Sequence, residues 1–212
     1  MSNFFDQADI SIQSDPPLWP LVMLFGSYRG DGEEKLREIS EYLRKNKIRA
    51  YIVSEYGPIH CHRKKKETND EYNLRVSFWC TEHCDIAVFV FFRGITIGVE
   101  EALESLDQGP MLELAHICER GIHEKDLLFV FDSKSRKDAS SSLFRGIVKK
   151  SLGKPSFPCV VIEGKSPDEI IKEMKLEILG YCRRRYAKYA TVTRVGPLKF
   201  RHMFGLGAEE KE

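Results

Sequence analysis

The sequence predicts a doubly wound α/β fold, a five-stranded parallel sheet in the flavodoxin-like order 2-1-3-4-5 with helices on both faces. Two observations carry that expectation. Four short runs are almost continuously apolar: Leu21 to Phe25 (LVMLF), Ile86 to Phe92 (IAVFVFF), Leu127 to Phe131 (LLFVF) and Pro158 to Ile162 (PCVVI). Hydrophobicity that is continuous rather than alternating at strand length marks strands covered on both faces, the condition of a parallel sheet. Between the runs lie amphipathic segments with start and stop signals, so strand and helix alternate and are joined by right-handed crossovers.

Taken in order, Leu21 to Phe25 is the first strand. Asp31 with Glu34 three residues later opens a helix carried by Leu36, Ile39 and Leu43, and Asn46 stops it. Ile48 to Val53 is the second strand, and Arg49 within it suits a sheet edge. Thr68 and Glu71 repeat the capping-box spacing ahead of Leu74, Phe78 and Trp79, which places a second helix before the third strand, Ile86 to Phe92. Met111 to Arg120 forms a third helix closed by Gly121, and Ala139 to Lys150 a fourth closed by Gly153. In the last helix Ser166 caps, Pro167 takes the first helical position and Glu169 completes the box. Ile171, Met174, Ile178 and Cys182 then follow as one stripe.

With 212 residues, 42% hydrophobic and 31% charged, the chain is long enough for one α/β domain and too apolar to be disordered. The expected division is a leader over 1–18, one nucleotide-binding-type domain over 19–192, and a basic then acidic tail over 193–212. No run reaches the roughly 18 apolar residues of a spanning helix, and the N-terminus lacks a signal-peptide pattern, so the expected location is cytoplasmic with no membrane partner. Six cysteines are a sparse disulfide framework for this length, and reduced thiols are expected. Cys61, Cys80, His83 and Cys84 are zinc-ligand types, but without paired Cys-x2-Cys knuckles they are assigned to packing, and no metal is expected.

Ligands of open α/β sheets bind outside the carboxyl ends of the strands, where neighbouring connections diverge. In this order that point lies between strands one and three. It gathers Gly26, Ser27, Tyr28 and Arg29 after the first strand and Phe92 and Arg93 after the third. A glycine there lets a ligand approach the backbone, Ser27 offers a hydrogen bond, and either arginine can meet a phosphate with its planar fork. Tyr28, Phe92 and Trp79 are aromatic candidates for cradling a base, each set against an ordinary core role. The long stretch from Gly94 to Pro110 is expected to hold a short helix around Val99 to Leu106 and to cover the pocket. Glu113 follows in the first turn of the third helix, where a carboxylate is also favoured simply by the helix dipole.

Leu24-Phe25-Gly26-Ser27-Tyr28 followed by a helix, Cys84-Asp85 ahead of an apolar strand, and Gly109 to Ala115 ahead of Leu127 to Phe131 together resemble one Rossmann-like superfamily. It joins nucleoside 2-deoxyribosyltransferases with TIR-type NAD-cleaving domains, and the resemblance covers roughly Leu21 to Gly164. It implies that a glutamate in the helix after the third strand is the functional carboxylate, and Glu113 is the best-placed match, with Glu100 and Glu101 as rivals. Phe91 to Thr96 replaces the aspartate-rich loop that deoxyribosyltransferases carry after strand three.

Such a carboxylate could stabilise or trap the oxocarbenium-like state of N-glycosidic cleavage. The expected activity is therefore cleavage or ribosyl transfer on a nucleoside, a nucleotide or NAD, with NAD as substrate and no resident cofactor. Under any reading a homo-oligomer is among the expected partners, and the alternatives in function are a non-catalytic nucleotide-sensing or protein-interaction module of the same fold and a nucleic-acid binder. The last rests on charge. Up to Asp132 there are 15 basic and 23 acidic residues, and after it 18 and 9. Between Tyr181 and Arg201 seven Lys/Arg and three tyrosines interleave with no acid, a pattern that can bind phosphates and stack bases, or equally pack the tyrosines inward and leave the cations in water. Arg63 to Lys66 is a second basic run, read as a solvated loop.

Overall fold

The structure, a computed structural model, describes residues 20–28, 31–92, 108–120, 126–133, 159–164 and 166–193. Strands β1 (Val22–Gly26), β2 (Ala50–Ile52), β3 (Ile86–Phe91), β4 (Asp126–Asp132) and β5 (Cys159–Ile162) form one sheet in the order β2-β1-β3-β4-β5. Every pairing is parallel, as the continuous apolar runs require. The described helices are α1 (Gly32–Lys45), α2 (Val53–His60), α3 (Asn69–His83), α4 (Gln108–Glu119) and α5 (Pro167–Thr193).

Because strand side chains alternate, each run supplies both faces of the sheet. Val22, Leu24, Val88, Val90 and Val130 meet Leu36, Ile39 and Leu43 of α1 and Ile171, Met174 and Ile178 of α5. Met23, Phe25, Phe89 and Phe129 point the other way, toward Val76 and Cys80 of α3 and Leu114 and Ile117 of α4. On this second face the register sets aromatic rings side by side. Phe25, Phe89 and Phe129 stack across three strands at 5.1 and 5.4 Å, and Phe91 stacks on Phe131 at 4.7 Å. Each such buried ring contributes about 2 kcal/mol through the area it removes from water.

The capping boxes of α3 and α5 form as the spacing predicts: Thr68 Oγ1 accepts from Glu71 N at 3.2 Å, and Ser166 Oγ from Glu169 N at 3.3 Å. Asp31 stands at the N-cap of α1 but makes no side-chain cap bond, contrary to the box expected there. The chain leaves α1 through Lys47 in the left-handed region, φ 64°, directly after the expected stop.

Three further differences have local causes. Helix α2 was not expected, because Gly57 and Pro58 inside it are breakers in isolation. Tertiary packing demands the glycine: a Cβ on Gly57 would lie 2.1 Å from Val76 Cγ1 of α3. Second, α3 buries Val76, Ser77, Cys80 and Thr81 rather than the face marked by Leu74 and Trp79, and Leu74 is exposed. Third, β5 is the far edge strand, with Cys159 exposed and only Ile162 fully buried, so its apolar run is not covered on both faces. The expected helix over Ala139 to Lys150, the leader and the residues after Thr193 lie outside the described residues.

Candidate active site

The crevice is set by where connections part. The chain leaves β1 for α1, which packs on one face, while α4 follows β3 and packs on the other. The carboxyl ends of β1 and β3 therefore face a gap between diverging connections, at the place the strand order predicts.

Glu113 lies on α4 and faces Ser77 of α3. The helix begins at Gln108, three residues before the expected start, so Glu113 lies in its second turn and not its first. The helix dipole acts mainly within the first turn, so it is a poor account of a carboxylate at this position. Glu113 is only 8% exposed, and Ser77 Oγ of α3 donates to its Oε1 at 2.5 Å. One turn along α4, the His116 ring stacks on Phe78 of α3 at 4.0 Å, with its Nε2 2.9 Å from Glu82 Oε1. Residues three apart share a helix face, so the His116 contacts fix the rotation of α4 that turns Glu113 toward α3.

Tyr28 approaches the same carboxylate from the loop after β1. Its hydroxyl accepts the N–H of Val53, the first residue of α2, at 3.1 Å, and so ties that loop to the carboxyl end of β2. Burial of the hydroxyl holds Tyr28 well above the ordinary tyrosine range. The bond from Val53 opposes the shift, and the nearby charges of Glu113, Cys80 and Glu33 add to it. The residue as a whole keeps 36% of its surface exposed, while its hydroxyl is engaged by the Val53 N–H. Cys80, one turn after Ser77, is pushed up too, by burial first and then by neighbouring thiols and Glu113.

The remaining expected residues divide. Ser27 is buried directly after β1. Gly26 is required by packing. A Cβ there would meet Val90 O at 2.8 Å and Leu36 Cδ2 at 3.0 Å, so the missing side chain lets α1 close onto the β1–β3 pair. Phe92 is buried in the core with α1 and α5, which is its core reading. Trp79 lies between His60 (5.5 Å) and His83 (4.0 Å) in a stack of rings, apart from the Glu113 contacts. Arg29, Arg93, Glu100, Glu101 and the expected short helix around Val99 to Leu106 lie outside the described residues. Sequence reading missed Ser77, because a serine between Val76 and Phe78 carries no signal until α4 is packed against it. Asp132 is also buried, at the carboxyl end of β4.

Asp85, which begins the "Asp then apolar strand" element, has a structural role at the opposite end of the sheet, where its Oδ2 accepts from Leu21 N at 2.7 Å. All six cysteines are free. Cys80 and Cys84 lie in the core, Cys61 Sγ accepts from Arg75 at 3.0 Å, and among the described residues no group of three or more His, Cys, Asp or Glu could hold a metal ion. In the basic C-terminal segment the tyrosines turn inward. Tyr181 donates to Leu127 O (2.9 Å), Tyr186 to Pro20 O (2.5 Å), and Tyr189 packs against the core. Arg185 pairs with Asp126 at 3.1 Å, while Arg183, Arg184 and Lys188 are exposed. The tyrosines are thus taken up by packing rather than presented for stacking on bases. In the loop before α3, Glu67 gathers Arg75 and the Lys64 N–H, and Arg63 donates to the Glu67 carbonyl. These bonds to Arg75 and Lys64 hold the Glu67 carboxyl down at about 2.

Among the described residues no helix is long and apolar enough to cross a membrane. No family model and no curated protein matches the chain. Among solved structures it is similar to the CMP N-glycosidase BcmB of Clostridium botulinum, at 13% identity and a TM-score of 0.41, over 74% of this chain and 98% of that one, a distant likeness of fold.

Proposed function

We propose that the chain cleaves, or transfers the sugar of, an N-glycosidic bond in a nucleoside, a nucleotide or NAD, with Glu113 as the carboxylate that faces the anomeric carbon. The observation that carries this reading is a buried glutamate on the helix that follows β3, held by a hydroxyl donor and close enough to Tyr28 to act on its hydroxyl. As the C–N bond breaks, its electron pair leaves on the base nitrogen and positive charge develops on the sugar carbon. An ionised carboxylate in a site shielded from water stabilises that charge strongly, or traps it as a covalent ester that water or a second base then opens. The Tyr28 ring offers a flat apolar wall for the departing base. Supporting the same reading, the sequence from Leu24 to Tyr28 and the element before β3 resemble a superfamily of enzymes that act at such bonds.

The test is incubation with NAD and a panel of ribo- and deoxyribonucleosides and their monophosphates, with released base resolved by chromatography. Turnover of at least one substrate is expected, and Glu113→Gln, which keeps shape but removes the charge, should lower it by about a thousandfold. Equal turnover by the variant would remove Glu113 from the mechanism. Nucleotide binding by calorimetry without any product would replace the enzyme reading with a sensing module of the same fold.

A further inference from the structure

We infer that Ser77 is the positioning residue of this site, its hydroxyl holding the Glu113 carboxylate in a single orientation and in its ionised form. The inference rests on the proposed function for its catalytic consequence, though not for its physical content. A serine inside a helix ordinarily returns its hydroxyl to a carbonyl of the preceding turn. Thr81, one turn further along α3, makes such a local bond, with its Oγ1 donating to Phe78 O at 2.7 Å. Ser77 instead donates across the helix–helix boundary to Glu113 Oε1 at 2.5 Å, and both side chains are buried. A long flexible carboxylate held at one oxygen by a donor on a short, rigid side chain loses rotamer freedom before any substrate arrives, and preorganisation of that kind favours the reacting geometry. Donation to a carboxylate also favours its charged form against the cost of burial.

Tyr28, from the loop after β1, and Cys80, from α3, are both held protonated far above the acidic range, and His116 on α4 is turned to Glu82. Glu33 of α1, which acts on Tyr28, is bonded to Arg37 and Ser54.

The experiment reads ionisation and turnover separately. In the full chain labelled with carbon-13 at glutamate side-chain carboxyls, the Glu113 resonance is assigned by its loss in Glu113→Gln and titrated in the wild type and in Ser77→Ala. The inference expects the Glu113 midpoint to rise by about one pH unit in Ser77→Ala, the size of one hydrogen bond to a charged group. On the best substrate, at a pH where both proteins are fully ionised, kcat should fall about tenfold with KM within about twofold, because orientation and not binding is lost. An unmoved midpoint overturns the inference whatever the activity. A moved midpoint with unchanged kcat overturns its positioning half. A wild type inert on every substrate sinks the proposed function instead, and the titration still decides whether Ser77 holds the carboxylate ionised.

Discussion

At the scale of single residues, identity and neighbourhood carry different weight. Glu113 is conspicuous as the one acid between Met111 and Cys118, but a start of α4 three residues earlier is what separates it from a dipole-matching role. The reverse holds at Gly26. A glycine after a strand suggests room for a ligand, and its neighbours show that it also makes room for Leu36 beside the Val90 carbonyl. Gly26→Ala should accordingly cost about 2 kcal/mol in urea unfolding, the usual scale of overpacking in a closed core. A loss below about 0.5 kcal/mol would mean that β3 and α1 yield to the methyl group, and would return Gly26 to the ligand. The same logic explains why Ser77 was invisible in the sequence: its partner is 36 residues away and on another helix.

For whole elements, legibility followed the sharpness of the pattern. Helix α5 was readable because cap, proline, box and stripe agree, and each stripe residue, Ile171, Met174, Ile178 and Cys182, is buried. Ile178→Ala should cost about 3 kcal/mol, the scale of a buried large-to-small change, while Leu176→Ala on the exposed face should change stability by less than about 0.5 kcal/mol. Similar losses for both would mean that the stripe is not what binds α5 to the sheet. Helix α3 was readable in its start and not in its face. Its polar and apolar residues are mixed around the circumference, and its small residues, Ser77, Cys80 and Thr81, are the buried ones because α2 and α4 come close on that side. Helix α2 was not readable at all, since Gly57 and Pro58 argue against a helix until the approach of Val76 is known.

Taken whole, the molecule buries weakly acidic groups that ionise only at high pH. Cys182 is fully buried between α5 and the sheet, and burial pushes its thiol from 9.0 up to about 12. Below pH 9 both folded and unfolded chains hold this proton. As the pH rises toward 12 the unfolded chain releases it and the folded chain does not, so stability falls by about 1.4 kcal/mol per unit for each such group. Tyr186 is shifted in the same direction, also by burial first. Urea unfolding at about pH 8 and about pH 10 should show stability falling with pH, and Cys182→Ala should make the fall smaller by the share of one proton. An unchanged difference would exclude this thiol as a source of alkaline sensitivity. Among the described residues the basic C-terminal segment does not present its tyrosines for stacking, because Tyr181 and Tyr186 spend their hydroxyls on Leu127 and Pro20 inside the fold.

The order of the strands and their parallel pairing were determined by the sequence alone, because these depend on where apolar runs and cap signals fall, and both are local. What only the tertiary structure decided is which side chains meet at the candidate site. Ser77 from α3, Glu113 from α4 and Tyr28 from the loop after β1 come from separate segments, and their meeting depends on helix rotation and interhelix distance. Those are set by packing volume, such as the missing side chain at Gly57 and the Phe78–His116 stack, and no local pattern in the chain encodes them.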